Sequence, residues 1–573
     1  MMNHTRRFLL PSAIGLLAIL SFWKLWLIRD VIWDDNCWLL SAYATEGLEA
    51  FLNTGFYELR RASLGVFTYL LFGLHRETDY FFPILHGLTF LTLIGSPLLL
   101  YLLIRTVAPD RRALALFTAL AFVAFYLDHN LGYASMTNYR LGLMLQLASL
   151  VFTARAILAE TTRLRWLLAA FFSSAIAYYV FLEAAFTLEA ARVAVIALAF
   201  RHAGLRGSIQ AKQTLFRWAP FMVLCLPLIA SKLLYKPYGI YEGSYSFDLL
   251  RLLNISTNLA ELRHVLFSDW LRFWKLWRLA DTGSFISGLL AAALCLGLLR
   301  RLKLPEKEYR QGSPNPDSSP AATDWRAFFR ILLIGFAVLL PPAMLFQATG
   351  LGITFLGAQD NAHAILLLPG YALLLGNLLA AFFTLKSGKW HAKLAIACVL
   401  GVGVFYNNLA LDLFKDSWRA QSRFWQAFMQ RFPALPESAD FMIDARLPTY
   451  YPDLRINFDF EYQLNLLYAR STDPARFRRY RVFTNEDFYR WYLIKQRGAV
   501  DMKPIERTTH LGKETLDPVK LIAVRYDGVR LLVNNEIVLD NPKIEYRLWA
   551  DKNPPRLLDA SAYPLRGRYH WPN

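Results

Sequence analysis

The segment YFFPILHGLTFLTLIGSPLLLYLLI, residues 80–104, decides the fold, because its 25 residues include no Asp, Glu, Lys or Arg. A helix of about 20 apolar residues crosses the roughly 30 Å hydrocarbon core of a bilayer. Further candidate spans lie near residues 8–28, 113–127, 141–159, 166–200, 218–234, 285–299, 327–346, 362–382 and 394–411. The run at 166–200 is long enough for a helical hairpin. The sequence therefore predicts a polytopic α-helical membrane protein with about eleven transmembrane helices.

Composition and charge agree with this class. Of the 573 residues 55% are hydrophobic and 18% charged, with a mean hydropathy of +0.28, which is too apolar for one soluble core. The formal charge of +18 resides mostly in alternate loops between the spans, as the positive-inside rule expects of cytoplasmic loops. This distribution argues against nucleic acid as a partner and predicts a cytoplasmic N-terminus. An odd number of spans would export the C-terminus.

The segments predicted to be exported differ greatly in size. Residues 29–79 form a large first loop, and residues 412–573 form a tail with no run long enough to span. Within the tail, 521–539 alternates like paired strands around Asp527-Gly528, and 457–468 and 487–496 read as helices. We therefore expect a transmembrane domain, 1–411, and an extracytoplasmic soluble domain of mixed α/β structure, 412–573.

The first exported loop opens with two adjacent acids. Asp34 and Asp35 begin a segment that runs to Gly55 and predicts an amphipathic helix on the membrane surface. Arg60 and Arg61 follow, and then SLGVFTYLLFGL, residues 63–74, predicts an apolar helix too short to span. Charge at this position is costly to desolvate, which favours a functional role for the two acids.

This order of features resembles the first exported loop of the GT-C superfamily of integral membrane glycosyltransferases, including lipid A aminoarabinose transferases and protein O-mannosyltransferases. The matching features are Asp34-Asp35, a surface helix, the basic pair, and LLFGL at 70–74 before the span at Tyr80. The Pro-Pro that often follows the basic residue is replaced by Ala62-Ser63. The resemblance implies transfer of a sugar from a polyprenyl-phosphate donor to a glycan, lipid or exported protein on the extracytoplasmic face.

The resemblance also implies a carboxylate that deprotonates the acceptor hydroxyl. Adjacent helical residues point about 100° apart, so Asp34 and Asp35 cannot both face one hydroxyl. The resemblance favours Asp34 as the base, whereas the alternative is that both acids are solvated and stabilised by the helix dipole. Asp128 is a second catalytic candidate, and Glu183 is a further one. Glu189 and Arg192, one turn apart in an apolar span, predict a buried ion pair.

A divalent cation and a donor phosphate would need their own ligands. Asp34, Asp128 and His129 could hold Mg²⁺ or Mn²⁺, with a loop-capping Asp128 and a surface His129 as the alternative. Exported cations that could bind the phosphate are Arg60, Arg61, Arg140, Lys232, Lys236 and His363. For each cation taken singly, snorkelling to lipid headgroups explains its position equally well.

Two function classes follow. The first is a membrane glycosyltransferase in a bacterial inner membrane, with the tail in the periplasm. The second is a transporter or flippase of lipid-linked saccharide, which also needs many spans. The sequence shows no obvious inverted repeat and concentrates its polar material on one face, which favours the transferase.

Overall fold

The structure is a computed structural model that describes most of the helical bundle and part of the tail. The described residues are 2–28, 34–58, 61–78, 80–128, 130–131, 133–159, 161–234, 248–263, 277–301, 325–349, 360–385, 390–435, 440–445, 457–468, 480–484, 505–509, 512–516 and 521–533. Within them the chain is mainly helical.

Sixteen α-helices and six strands follow one another along the described residues. The helices are α1 Met2–Phe22, α2 Asp34–Ala44, α3 Gly47–Leu52, α4 Ala62–Glu77, α5 Phe81–Val107, α6 Arg112–Ala124, α7 Thr137–Leu158, α8 Arg163–Ile176, α9 Glu189–His202, α10 Gly207–Leu234, α11 Ile255–Arg263, α12 Thr282–Arg301, α13 Trp325–Ala348, α14 Leu368–Leu385, α15 Trp390–Arg431 and α16 Asn457–Leu467. The strands are β1 Asp440–Ala445, β2 Arg481–Thr484, β3 Ile505–Thr509, β4 Gly512–Leu516, β5 Leu521–Tyr526 and β6 Leu531–Val533.

Nine helical segments of the described chain are long and apolar enough to cross a membrane, with α8 counted through its continuation to Phe181, which confirms a polytopic helical protein. Two other helices coincide with predicted spans but are shorter. These are α6, with 13 residues, and α9, with 14. Helix α6 is nonetheless buried along almost its whole length, so it belongs to the interior of the bundle.

Small residues let helices approach closely within the bundle. A Cβ atom placed on Gly376 of α14 would lie 2.6 Å from the backbone nitrogen of Thr118 in α6. Without a hydrophobic driving force between helices in lipid, such backbone contacts are a main source of packing energy. Glycine is therefore required at this crossing.

Replacing Gly376 by alanine is expected to destabilise the bundle by about 1–3 kcal/mol, because the added methyl group overlaps backbone that cannot move independently. Gly297→Ala in α12 is the matched control, since a Cβ there meets nothing within 4 Å. Thermal unfolding of the purified proteins in detergent measures the difference. Equal unfolding temperatures for the two variants would contradict the close packing of α6 on α14.

The first loop forms two helices, α2 and α3, where the sequence predicted a single one. Gly47, with φ of +86°, adopts a left-handed backbone conformation that interrupts the helix after Ala44. Gly55, with φ of +143°, lies beyond the end of α3. The predicted short apolar helix at 63–74 is confirmed as α4.

The tail contains a four-stranded sheet in the order β2-β1-β5-β6. Strand β1 is parallel to β2 and β5, and β5 and β6 form an antiparallel hairpin. The predicted turn at Asp527-Gly528 is confirmed, since Gly528 has φ of +102° and the Asp527 carboxylate accepts the N–H groups of Val529 and Arg530. The predicted helix at 457–468 is confirmed as α16, whereas 487–496 and 534–539 lie outside the described residues.

The tail packs on the first loop through a shared hydrophobic core. Phe424 and Trp425 of α15 belong to one cluster of buried residues with Leu40 of α2, Phe441 of β1 and Phe460 of α16. Helix α15 itself runs unbroken for 42 residues, through the domain boundary predicted at 411. The loop and the tail thus lie at the same end of the bundle and bury each other.

Candidate active site

Asp35 lies in the first turn of α2 and is almost fully buried. Its carboxylate accepts the backbone N–H of Ala134 at 2.5 Å and that of Ser135 at 2.7 Å. These bonds tie the first loop to the segment between α6 and α7. Burial raises the pKa of Asp35 from 3.8 to about 6, against the opposing effect of the Ser135 and Ala134 hydrogen bonds and of Arg140. Through its two hydrogen bonds, Asp35 holds the first loop in place.

This raised pKa predicts a pH-dependent stability. The folded protein keeps the Asp35 proton up to about pH 6, whereas the unfolded chain releases it near pH 3.8. The stabilisation by this proton is therefore full below pH 3.8 and is lost as the pH rises from 3.8 through 6. The loss should total about 3 kcal/mol. Unfolding temperatures of wild type and Asp35→Asn, measured from pH 4 to 8, should diverge in this window. Parallel curves would contradict the assignment.

Asp128 and Arg140 form a fully buried ion pair at 2.9 Å. The second oxygen of Asp128 accepts the N–H of Asn130, and Arg140 also donates to the Asn130 carbonyl. Burial raises the pKa of Asp128, and the Arg140 guanidinium opposes that rise. The structure thus brings a predicted catalytic acid and a predicted phosphate ligand together as partners. Their contacts fix the turn between α6 and α7 that receives Asp35.

Arg61, just before α4, pairs with Glu183, which follows α8. The guanidinium also donates through Nε to the same carboxylate oxygen at 2.9 Å. Both side chains are partly exposed and line a cavity of about 120 Å³, together with Ser63, Asn138 and Tyr179. The Glu183 carboxylate and the Arg61 guanidinium, both predicted site groups, thus lie beside open space at the first-loop end of the bundle.

Several predicted site residues lie outside the described residues. These are Arg60, His129 and Lys236, together with the side chains of Asp34, Lys232 and His363. The backbone of Asp34 begins α2, immediately before Asp35. The roles predicted for these six residues stay predictions.

A Mg²⁺ or Mn²⁺ site is not formed by the described residues. Among them no three His, Cys, Asp or Glu side chains lie close enough to hold a metal ion. Of the three predicted ligands only Asp128 has a described side chain, and its oxygens are engaged by Arg140 and Asn130.

Sequence reasoning missed a second charged cluster at the same end of the bundle. Lys24, at the end of the first span, is buried and lies 2.5 Å from Asp281 and 2.6 Å from Asp412, with Ser284 at 2.7 Å. Burial acts to raise the pKa of Asp281, but the hydrogen bonds from Lys24 and from Ser284 outweigh it and the pKa is lowered. A lysine inside an apolar span was the available signal. The cluster joins the residues just after α1 and at the start of α12 to α15.

The predicted pair of Glu189 and Arg192 is confirmed, with 2.8 Å between Arg192 Nε and Glu189 Oε2. Both side chains are buried, and Arg192 also donates to the hydroxyls of Ser149 and Ser174. The network joins α7, α8 and α9 inside the bundle. It is a structural element, remote in sequence from the first loop.

The fold and these sites define a polytopic helical membrane protein with a polar, charged end built around its first loop. No protein-family model matches the chain, and no curated protein or solved structure is significantly similar to it.

Proposed function

We propose that the protein is a membrane glycosyltransferase that uses a polyprenyl-phosphate sugar. The observation that carries the proposal is the arrangement of ionisable side chains in and around the first loop. Asp35 anchors the loop to the segment between α6 and α7, and Arg61 is paired with Glu183 beside a cavity. Ionisable groups held at one end of a membrane bundle, next to open space, are typical of sites for charged substrates.

In the proposed reaction, Asp34 accepts the proton of the acceptor hydroxyl as its oxygen attacks the anomeric carbon. The bond between that carbon and the phosphate oxygen breaks, and the polyprenyl phosphate leaves with the electron pair. Arg61, oriented by Glu183, offsets the growing charge of the leaving phosphate. Asp35 and the Asp128–Arg140 pair are positioning groups, because their atoms are committed to the loop.

The proposed topology has eleven crossings, with the first loop and the tail in the periplasm of a bacterial inner membrane. The first loop and the tail share a hydrophobic core and must lie on one side, which requires an even number of crossings between them and therefore, with α1, an odd total. Helix α6 starts at the basic loop of Arg111 and leads to Asp128, whose partner Arg140 acts electrostatically on Asp35. Residues 183–202 likewise run from Glu183, the partner of Arg61, to Arg201, which lies near Arg111 at the opposite end of the bundle. Both short segments therefore count as crossings.

The experiment is incubation of the purified protein with a panel of radiolabelled polyprenyl-phosphate sugars and of membrane acceptors. Transfer of label from at least one donor to an acceptor is the expected result. Movement of the labelled lipid across proteoliposomes without transfer would overturn the proposal in favour of a flippase of lipid-linked saccharide.

A further inference from the structure

A second cavity, of about 420 Å³, lies among α5, α7, α9, α13 and α14. Its walls are aliphatic, with Leu103, Leu150, Val195 and Ile334 each contributed by a different helix. The volume falls in the range of sites for small molecules, about 300–1,000 Å³. A cavity with such walls does not hold ordered water, and left empty it deprives the lining atoms of packing partners. An apolar occupant is therefore favoured.

The rim of this cavity is basic. Arg111, Arg201 and Arg330 line it with His202, and Asp110 is the only acid among its described lining residues. Arg111 lies 3.8 Å from Asp110, whereas Arg201 and Arg330 are exposed and pair with no carboxylate among the described residues. The cavity thus combines aliphatic walls with a positively charged mouth. That combination matches a molecule with a hydrocarbon chain and an anionic head.

We propose that this cavity binds an acyl chain of an anionic glycerophospholipid, with the lipid phosphate held by Arg201 and Arg330. The mouth lies at the basic end of the bundle, where the anionic lipids of the cytoplasmic leaflet are concentrated. A glycosyl donor is a poorer fit, because its phosphate would have to lie at the opposite end, near Asp35 and Arg61. The site does not depend on the proposed transfer reaction.

Native mass spectrometry of the delipidated protein in detergent, with added dioleoylphosphatidylglycerol or dioleoylphosphatidylcholine, tests the site. The wild type should retain one phosphatidylglycerol in preference to phosphatidylcholine. Arg201→Gln with Arg330→Gln should weaken this retention about tenfold or more, the fold-change expected when two charge-assisted contacts are lost. The matched control is Arg326→Gln with Lys212→Gln, two exposed cations at the same end that do not line the cavity.

Ala191→Trp fills the cavity from α9 and should abolish the bound phospholipid, while Val223→Trp, on the exposed surface of α10, should leave it unchanged. Equal retention of the two phospholipids by the wild type would overturn the proposal. So would unchanged retention in the double arginine variant, or preferential binding of undecaprenyl phosphate that displaces phosphatidylglycerol. Because the arginines are exposed, their variant remains informative even if Ala191→Trp does not fold.

Discussion

Asp34→Asn is expected to lower the rate of glycosyl transfer by about 10²–10⁴-fold, the usual contribution of a general base. An amide cannot accept the acceptor proton, yet it retains the size and hydrogen-bonding capacity of a residue in the first turn of α2. Binding of the donor should change little, because the ligands proposed for its phosphate are cations such as Arg61 rather than this acid. Initial rates with the most active labelled donor, together with donor binding at equilibrium, measure the two effects.

Two further acid replacements serve as controls for Asp34→Asn. Asp110→Asn changes an exposed acid at the opposite end of the bundle and should leave transfer unchanged. Asp35→Asn should flatten the pH dependence of stability while retaining most of the transfer activity, since the Asp35 carboxylate is committed to Ala134 and Ser135. If Asp34→Asn transfers sugar at the wild-type rate, Asp34 is not the base. If Asp35→Asn alone is inactive, the roles of the two acids are reversed.

Arg140→Met is expected to cost about 3–5 kcal/mol of stability, because it leaves the fully buried Asp128 without its counter-charge. Asp128 would also lose the contact that fixes the turn between α6 and α7, to which Asp35 is hydrogen-bonded. Arg155→Met on the same helix is the control, since Arg155 is only partly buried and stacks on Trp166. Thermal unfolding in detergent at neutral pH should separate the two variants clearly.

The double replacement Arg140→Met with Asp128→Leu distinguishes a lost charge partner from simple loss of packing. Removing both charges eliminates the uncompensated carboxylate, so the double variant should recover most of the stability lost by Arg140→Met. A double variant as unstable as the sum of the single ones would show that the pair is not energetically coupled. Arg140→Met with wild-type stability would contradict burial of the pair.

Hydropathy predicted most of the bundle, because a bilayer makes length and polarity of a segment nearly sufficient to identify a span. It could not show that α6 has only 13 helical residues, since the apolar run continues through Leu127 after the helix ends. The strand hairpin of the tail was also predictable, because Asp527-Gly528 is a local turn signal. Local patterns thus determined these elements without tertiary information.

The partners of the charged residues were not predictable, apart from one. Glu189 and Arg192 are three residues apart, so helical spacing alone identified their pair. Arg61 and Glu183 are separated by 122 residues, and Lys24 and Asp412 by 388. Such contacts depend on which helices are neighbours, and hydropathy carries no information about that. The sequence identified the ionisable residues of the first loop as candidates. Only the structure shows that Asp35 makes anchoring hydrogen bonds, whereas Arg61 lines a cavity.

Helix α15 is roughly 60 Å long at 1.5 Å per residue, about twice the thickness of the hydrocarbon core. Cutting the chain at 411 would consequently sever this helix in its middle and remove the first-loop residues, such as Leu40, from the cluster that buries Phe424 and Trp425. A fragment designed from hydropathy alone should aggregate when it is produced without the bundle. The same unbroken helix would transmit a force applied to the tail directly into the bundle.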